Sequence, residues 1–175
     1  MKRPKKETAQ TWDSFEITLR IALEILKPQR CFEWGPGKST RIMLEYPSVK
    51  TIDSVEHDGA WFSRAQSYVR SNKVNMIFEP KQEIYPFVSG RFEKYDLIFI
   101  DGIKREDCLR FAPMIASKRH AVILHDAERE EYMQAMSGYN FIMLCDDGHT
   151  ACLTNDSESF SDLKVLLRSR ANVKS

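Results

Sequence analysis

Nowhere in this 175-residue chain do apolar side chains run on for the ~20 positions that a membrane-crossing helix needs, so no membrane span and no membrane partner are expected. The basic N-terminus has no apolar stretch behind it, because Glu7, Asp13 and Glu16 interrupt, and a secretory leader is not expected. An excess of charge is missing too. The 26 Lys and Arg and 25 Asp and Glu leave a formal net charge of +1, which gives no global pull toward nucleic acid or an anionic surface. The short cluster Lys2-Arg3-Pro4-Lys5-Lys6 reads as a solvated, frayed end. The 4 cysteines (Cys31, Cys108, Cys145 and Cys152) lack CxxC or CxxH spacing, which argues against structural zinc and for a reduced, cytoplasmic setting. Cys145 and Cys152 could face each other across a predicted hairpin, but buried free thiols fit better. Repeats, low-complexity tracts and linkers are absent. Residues 1–175 therefore read as one domain, with 1–10 flexible and 155–175 available for a terminal helix.

What is present alternates strand and helix with short connections, the pattern of a parallel α/β sheet. Strands are predicted at Arg30 to Trp34, Thr51 to Val55, Val74 to Phe78, Tyr95 to Ile100 and Ala121 to Leu124. The Leu-Ile-Phe-Ile run before Asp101 is apolar on both faces, as a central parallel strand should be. Helices are predicted at Trp12 to Leu26, Ser39 to Tyr46, Gly59 to Arg70, Arg105 to Ser117 and Glu128 to Met136. Tyr139 to Cys145 and Thr150 to Thr154 flank Asp146-Asp147-Gly148-His149, a hairpin signal, and Ser157 to Arg170 can close the chain as a helix. The fold class is thus α/β and Rossmann-like. About seven strands are expected, mostly parallel, with a terminal antiparallel hairpin and helices on both faces.

Four polar features sit just beyond predicted strands: Glu33-Trp34-Gly35-Pro36-Gly37, Glu56-His57-Asp58, Asp101-Gly102 and His125-Asp126. In an open parallel sheet the carboxyl edge is where ligands bind, so residues far apart in sequence should meet there. The glycine turn before Ser39 and Thr40 leaves backbone N–H groups free at a helix start, a site for a nucleotide or carboxylate. Glu33 adds a fixed negative charge, which suits a ligand that also has a cationic or hydrogen-donating part. Glu56 lies nineteen residues after Gly37, at the end of the second strand, where a carboxylate can accept from both ribose hydroxyls.

On these residues the chain resembles the class I S-adenosylmethionine-dependent methyltransferases over nearly its whole length. More narrowly, Glu-Trp-Gly-Pro-Gly-Lys-Ser-Thr, Ser-Val-Glu-His-Asp with Trp61, Ile-Asp-Gly with Arg105, and His-Asp with Arg129 and Tyr132 look like a poorly characterised bacterial-type branch. The resemblance implies that Glu33 and the backbone from Gly35 to Gly37 hold the methionine amino group, directly or through water. It also implies that Glu56 takes the ribose. The expected cofactor contacts are Glu33, Trp34, Gly35, Gly37, Ser39, Thr40, Glu56, His57 and Asp101. There are two departures. A frequent third glycine is Ser39, and no residue cleanly matches the usual acid for the adenine amine, with Glu79, Gln82 and Glu83 as candidates.

The sulfonium makes the methyl carbon electrophilic, so the protein must align donor and acceptor and remove a proton where the acceptor needs it. Asp101, His125 and Asp126 are the expected catalytic groups, with His125 or Asp126 as base. Alternatively Asp101 and Asp126 hold a divalent cation, as in metal-dependent O-methyltransferases, or Asp126 simply caps the following helix. Arg105 and Arg129 would bind an anionic acceptor, or pair with Glu106, Asp107, Glu128, Glu130 and Glu131. Trp34 and Trp61 could wall the pocket, Trp61 fitting the helix's core stripe slightly better. The expected reaction is methyl transfer to a small-molecule acceptor at oxygen. The N-terminal helix, the Glu79 to Gly90 loop or a second copy in a homo-oligomer would supply a lid.

Other classes fit less well. Gly37-Lys38-Ser39-Thr40 imitates a P-loop, but Phe32 stands where a glycine is needed and Glu33 would repel phosphate. A nicotinamide site lacks its third glycine. A methyltransferase-like module that binds without catalysis is the main rival.

Overall fold

A computed structural model describes residues 15–88, 90–145 and 148–171, with side chains described as far as residue 164. The basic cluster, the expected start at Trp12 and the Asp146-Asp147 tip lie outside the described residues.

The sheet is built from β1 (Arg30–Trp34), β2 (Thr51–Glu56), β3 (Val74–Phe78), β4 (Tyr95–Ile100), β5 (Ala116–His125), β6 (Phe141–Cys145) and β7 (Thr150–Thr154). Its order is β3-β2-β1-β4-β5-β7-β6. The first five strands pair in parallel, and β7 runs antiparallel between β5 and β6. Strand order reverses between β1 and β4. This places Trp34 opposite both Val55 and Ile100, so the carboxyl ends of β2, β1 and β4 lie side by side.

Two cores cover the two faces. Because Phe32 and Trp34 alternate with Cys31 and Glu33 along β1, they face the core that also holds Ile98, Val122 and Leu124. It is completed by Leu109 of α4 (Arg105–Ile115) and Met136 of α5 (Met133–Met136). The opposite core collects Leu19 and Leu23 of α1 (Phe15–Leu26), Met43 of α2 (Lys38–Leu44) and Leu163 of α6 (Ser157–Ala171). α3 (Gly59–Tyr68) contributes only Ala65 as a buried residue. Cys31, Cys108 and Cys152 are buried thiols without disulfides, and Cys145 is buried as well. No helix among the described residues is long and apolar enough to cross a membrane.

Two expectations are corrected. β5 begins at Ala116 rather than Ala121; its first half is polar and pairs irregularly, Tyr95 opposite Ala116 but Leu97 opposite Ala121. The helix expected over 128–136 is a single 3-10 turn (Glu130–Tyr132) leading into the four-residue α5. Asp126 adopts φ 55, which turns the chain sharply after β5, and the run of Glu128, Glu130 and Glu131 stays exposed.

Candidate functional site

The glycine turn continues the sheet's hydrogen bonding. Gly35 N–H donates to Val55 O at 3.0 Å, and Asp101 N–H donates to Trp34 O at 2.9 Å. Gly35 has φ +90, and a Cβ there would lie 2.8 Å from Gly102 N and 2.9 Å from the Asp101 carbonyl carbon. Conformation and space both require glycine. At Gly37 the opposite holds: no heavy atom comes within 4 Å of where a Cβ would be, leaving room at the start of α2.

Glu33 lies beneath this turn, wholly buried. Ser39 Oγ donates to one of its oxygens at 2.7 Å, Thr40 Oγ1 to the other at 2.6 Å, and Ser54 Oγ also donates to the latter. Thr40 Oγ1 in turn accepts the Gly37 N–H at 3.0 Å. The acid thus fixes the first turn of α2 and, through Thr40, the glycine loop. Burial raises its pKa to about 7 despite the three hydroxyls. With both hydroxyls committed to Glu33 and Lys38 Nζ 2.7 Å from Glu16 Oε2, the segment is arranged unlike a phosphate-gripping loop.

At the end of β2, Glu56 Oε1 accepts the N–H groups of His57 and Asp58, both at 2.8 Å. His57 Nδ1 lies 2.8 Å from the same oxygen but is buried without a hydrogen bond. Asp58 caps α3 by accepting Trp61 N–H at 2.7 Å, and Trp61 Nε1 donates to Pro36 O at 2.7 Å, joining this loop to the glycine turn. The tryptophans reverse the sequence expectation. Trp61 is 40% exposed and walls the cleft, whereas the Trp34 indole is in the core and donates to Tyr85 O at 3.1 Å.

Beyond β4 and β5, His125 Nδ1 lies 2.9 Å from Asp101 Oδ1 and Nε2 lies 3.6 Å from Asp126 Oδ1. Arg105 organises the group. Its Nε donates to Gly102 O (2.9 Å), Nη1 to His125 O (2.7 Å) and Asp126 Oδ2 (2.9 Å), and Nη2 to Asp101 O (3.2 Å), while Nη2 also forms an ion pair with Asp101 Oδ1 at 2.9 Å. All three of its nitrogens are engaged, so the fork holds the site together instead of reaching out to a substrate. Arg129 Nη2 donates to Asp126 Oδ2 at 2.9 Å. The carboxylates paired with Arg105 and Arg129 are therefore Asp101 and Asp126 rather than the neighbouring glutamates. Nor does Asp126 cap a helix: the residue before the 3-10 turn is Arg129, without a side-chain cap. Burial pulls the His125 pKa down, but the Asp101 hydrogen bond and the Asp101 and Asp126 charges outweigh it, leaving it above the ordinary value. Burial pushes the Asp126 pKa up, but the nearby His125, Arg105 and Arg129 outweigh it and leave it lowered.

These pieces border one open cleft of about 900 Å³, within the range of small-molecule sites. Gly35 to Ser39, Glu56, His57, Asp101, Arg105 and His125 line it, and Glu33, Trp34, Thr40, Asp126 and Arg129 do not. Phe15 of α1 lines it too, its ring edge-on to His125 with centroids 5.0 Å apart. Sequence reading missed Phe15, Ile103 and Arg64 on this cleft, since nothing local marks them.

The order β3-β2-β1-β4-β5-β7-β6 with ligand-type loops at the carboxyl edge is the class I S-adenosylmethionine-dependent methyltransferase fold. Among solved structures, a methyltransferase-like protein from Silicibacter pomeroyi matches with TM-score 0.63 and 18% identity, covering 93% of this chain and 96% of that one. An O-methyltransferase from Bacillus cereus in complex with S-adenosylhomocysteine matches with TM-score 0.60 and 13% identity, covering 86% and 84%. A spermidine synthase from Thermotoga maritima matches with TM-score 0.65 and 13% identity, covering 86% of this chain and 61% of that one. No protein-family model and no curated protein sequence matches the chain.

Proposed function

We propose that the chain is an S-adenosylmethionine-dependent methyltransferase acting on the hydroxyl of a small-molecule acceptor. One observation carries the reading. A proton-accepting pair, Asp101–His125, and a ribose-type acid, Glu56, border the same cleft as a glycine turn with open space at Gly37.

The residues present suit that cofactor. The backbone of Gly35 to Gly37, Ser39, Glu56, the unsatisfied His57 and the Trp61 wall would hold it, while Glu33 and Thr40 would act from beneath by fixing the loop. When bound, the cofactor supplies an electrophilic methyl carbon. The chain's own task is proton removal. Asp101 is a carboxylate acceptor, so His125 Nδ1 carries the hydrogen and the neutral ring keeps its lone pair at Nε2. An acceptor hydroxyl can give its proton to Nε2, and Asp101 and Asp126 stabilise the imidazolium that forms. Phe15 shields one side of the ring from water.

A divalent cation does not fit this arrangement. Asp101, His125 and Asp126 bring ligand atoms within 4.8 Å of one another, but Arg105 already bonds both carboxylates at 2.9 Å. Its fixed positive charge already offsets the two carboxylates that a cation would need. We infer proton removal by His125 without a metal.

Calorimetry with S-adenosylhomocysteine tests the cofactor, and turnover with labelled donor over a pool of hydroxyl compounds tests the reaction. Binding is expected, weakened about tenfold or more by Glu56→Ala. Turnover is expected to survive a chelator. Absence of binding at millimolar ligand would overturn the reading; binding without turnover on any acceptor would favour the non-catalytic module.

A further inference from the structure

Next to the cleft, and continuous with it through Lys38, Trp61 and Arg64, lies a second groove of about 660 Å³ between α1, α2 and α3. Four cations line it (Arg20, Lys38, Arg41 and Arg64) against two carboxylates, Glu16 and Glu45. Both carboxylates are taken. Buried Glu16 lies 3.1 Å from Arg20 Nε and 2.7 Å from Lys38 Nζ, and Glu45 lies 2.6 Å from Arg20 Nη1. Arg41 and Arg64 are exposed, and neither has a carboxylate partner among the described residues. Two uncompensated guanidinium groups in a concave site leave local positive charge on a chain whose net charge is only +1.

The groove is also ordered. Arg64 stacks over the Trp61 ring at 5.2 Å, and the indole is pinned by its bond to Pro36 O. Tyr68, one turn further along α3, lines the same groove as Arg41 and Arg64. Two guanidinium forks and a phenol hydroxyl suit a tetrahedral oxyanion. A phosphate monoester carries about −1.5 to −2 charges at neutral pH, which matches the uncompensated pair.

We propose that this groove binds the phosphate group of a phosphorylated small molecule whose other end lies in the cleft, the methyl acceptor. Its role as acceptor subsite rests on the methyltransferase reading; its binding of phosphate does not. The test is a titration of the full chain, followed by phosphorus NMR, with phenyl phosphate and with inorganic phosphate. Both probes are expected to bind, the ester more tightly because its ring meets Trp61, and both more weakly as salt rises. Arg41→Gln and Arg64→Gln should each weaken binding about tenfold, with the melting temperature unchanged since both side chains are exposed. Arg41→Gln should leave S-adenosylhomocysteine affinity as it was. No binding of either probe, or binding untouched in the double variant, would overturn the proposal. Phosphate binding without S-adenosylhomocysteine binding would keep the groove and remove the methyltransferase reading. The reverse would remove the groove alone.

Discussion

Replacing Glu33 by glutamine should change how stability depends on pH more than it changes stability itself. Burial places the native pKa at about 7, against 4.5 for an ordinary glutamate. The native state therefore binds an extra proton between those two values, and stability falls as pH rises through that window. The displacement corresponds to roughly 3 kcal/mol, fully expressed above the native pKa and absent below the unfolded one. No solvent screening reduces it, because the side chain is wholly buried. Glutamine keeps the shape and gives Ser39, Thr40 and Ser54 an oxygen and an amide to bond, so any loss in hydrogen-bond quality is a constant offset. Urea unfolding at several values from about pH 5 to about pH 8 should show the variant gaining on the native chain by about 3 kcal/mol across that range. Parallel stability curves for the two proteins would refute the reasoning, since they would mean that Glu33 is not titrating in the fold.

Two other outcomes follow from the geometry. Gly35→Ala would push a methyl group against the Gly102 and Asp101 backbone at φ +90, and should lower stability by several kcal/mol, of order 3 or more, in the same unfolding assay. Asp101→Asn removes the hydrogen bond and charge that hold the His125 pKa up, so the rising limb of the pH–rate profile should move to lower pH and the maximal rate should fall; an unmoved limb would mean that His125 is not the base.

The central strand β4 was legible because a parallel strand buried on both faces reads as a continuous apolar run. The edge strand β3 and the antiparallel β7 were legible from the Pro80 and Gly148 turn signals that bound them. The bounds of β1, β3, β4 and β7 match those read from sequence. The first half of β5 was not, since Ser117-Lys118-Arg119-His120 has no apolar run, and its pairing is held by contacts such as Ser117 Oγ to Asp96 Oδ1 at 3.0 Å. The turn after β5 was misread for the converse reason. Glu128 to Glu131 are good helix formers, but Asp126 at φ 55 and its bonds to Arg105 and Arg129 set the chain's direction first. At the site, strand ends located the polar groups, because polar residues that close apolar strands have nowhere else to go. The division of labour among them was illegible. Arg105 draws its acceptors from Asp101, Gly102, His125 and Asp126, and no local spacing announces that convergence. Trp61 fits a core stripe by period, yet its indole N–H is used by Pro36 twenty-five residues away.

On the proposed function, the same contacts bear on the side from which an acceptor would approach. Of the segments suggested as a lid, the described residues of the 79–90 loop do not line the cleft; Tyr85 is wholly buried, and a Cβ on Gly102 would come within 1.9 Å of its hydroxyl. Tyr85 thus packs under Gly102. α1 does cover the cleft, through Phe15 against His125 and Glu16 against Lys38. With the β5 side bounded by α1 and the floor closed by Tyr85, the exposed lining residues Lys38, Asp58, Ala60, Trp61 and Arg64 mark the open side. On the proposed function, an acceptor entering there would pass Lys38 and Arg64 before it reached His125, the proposed base. On the proposed reading, a molecule with an anionic group at one end and a hydroxyl at the other is the acceptor that this path would suit.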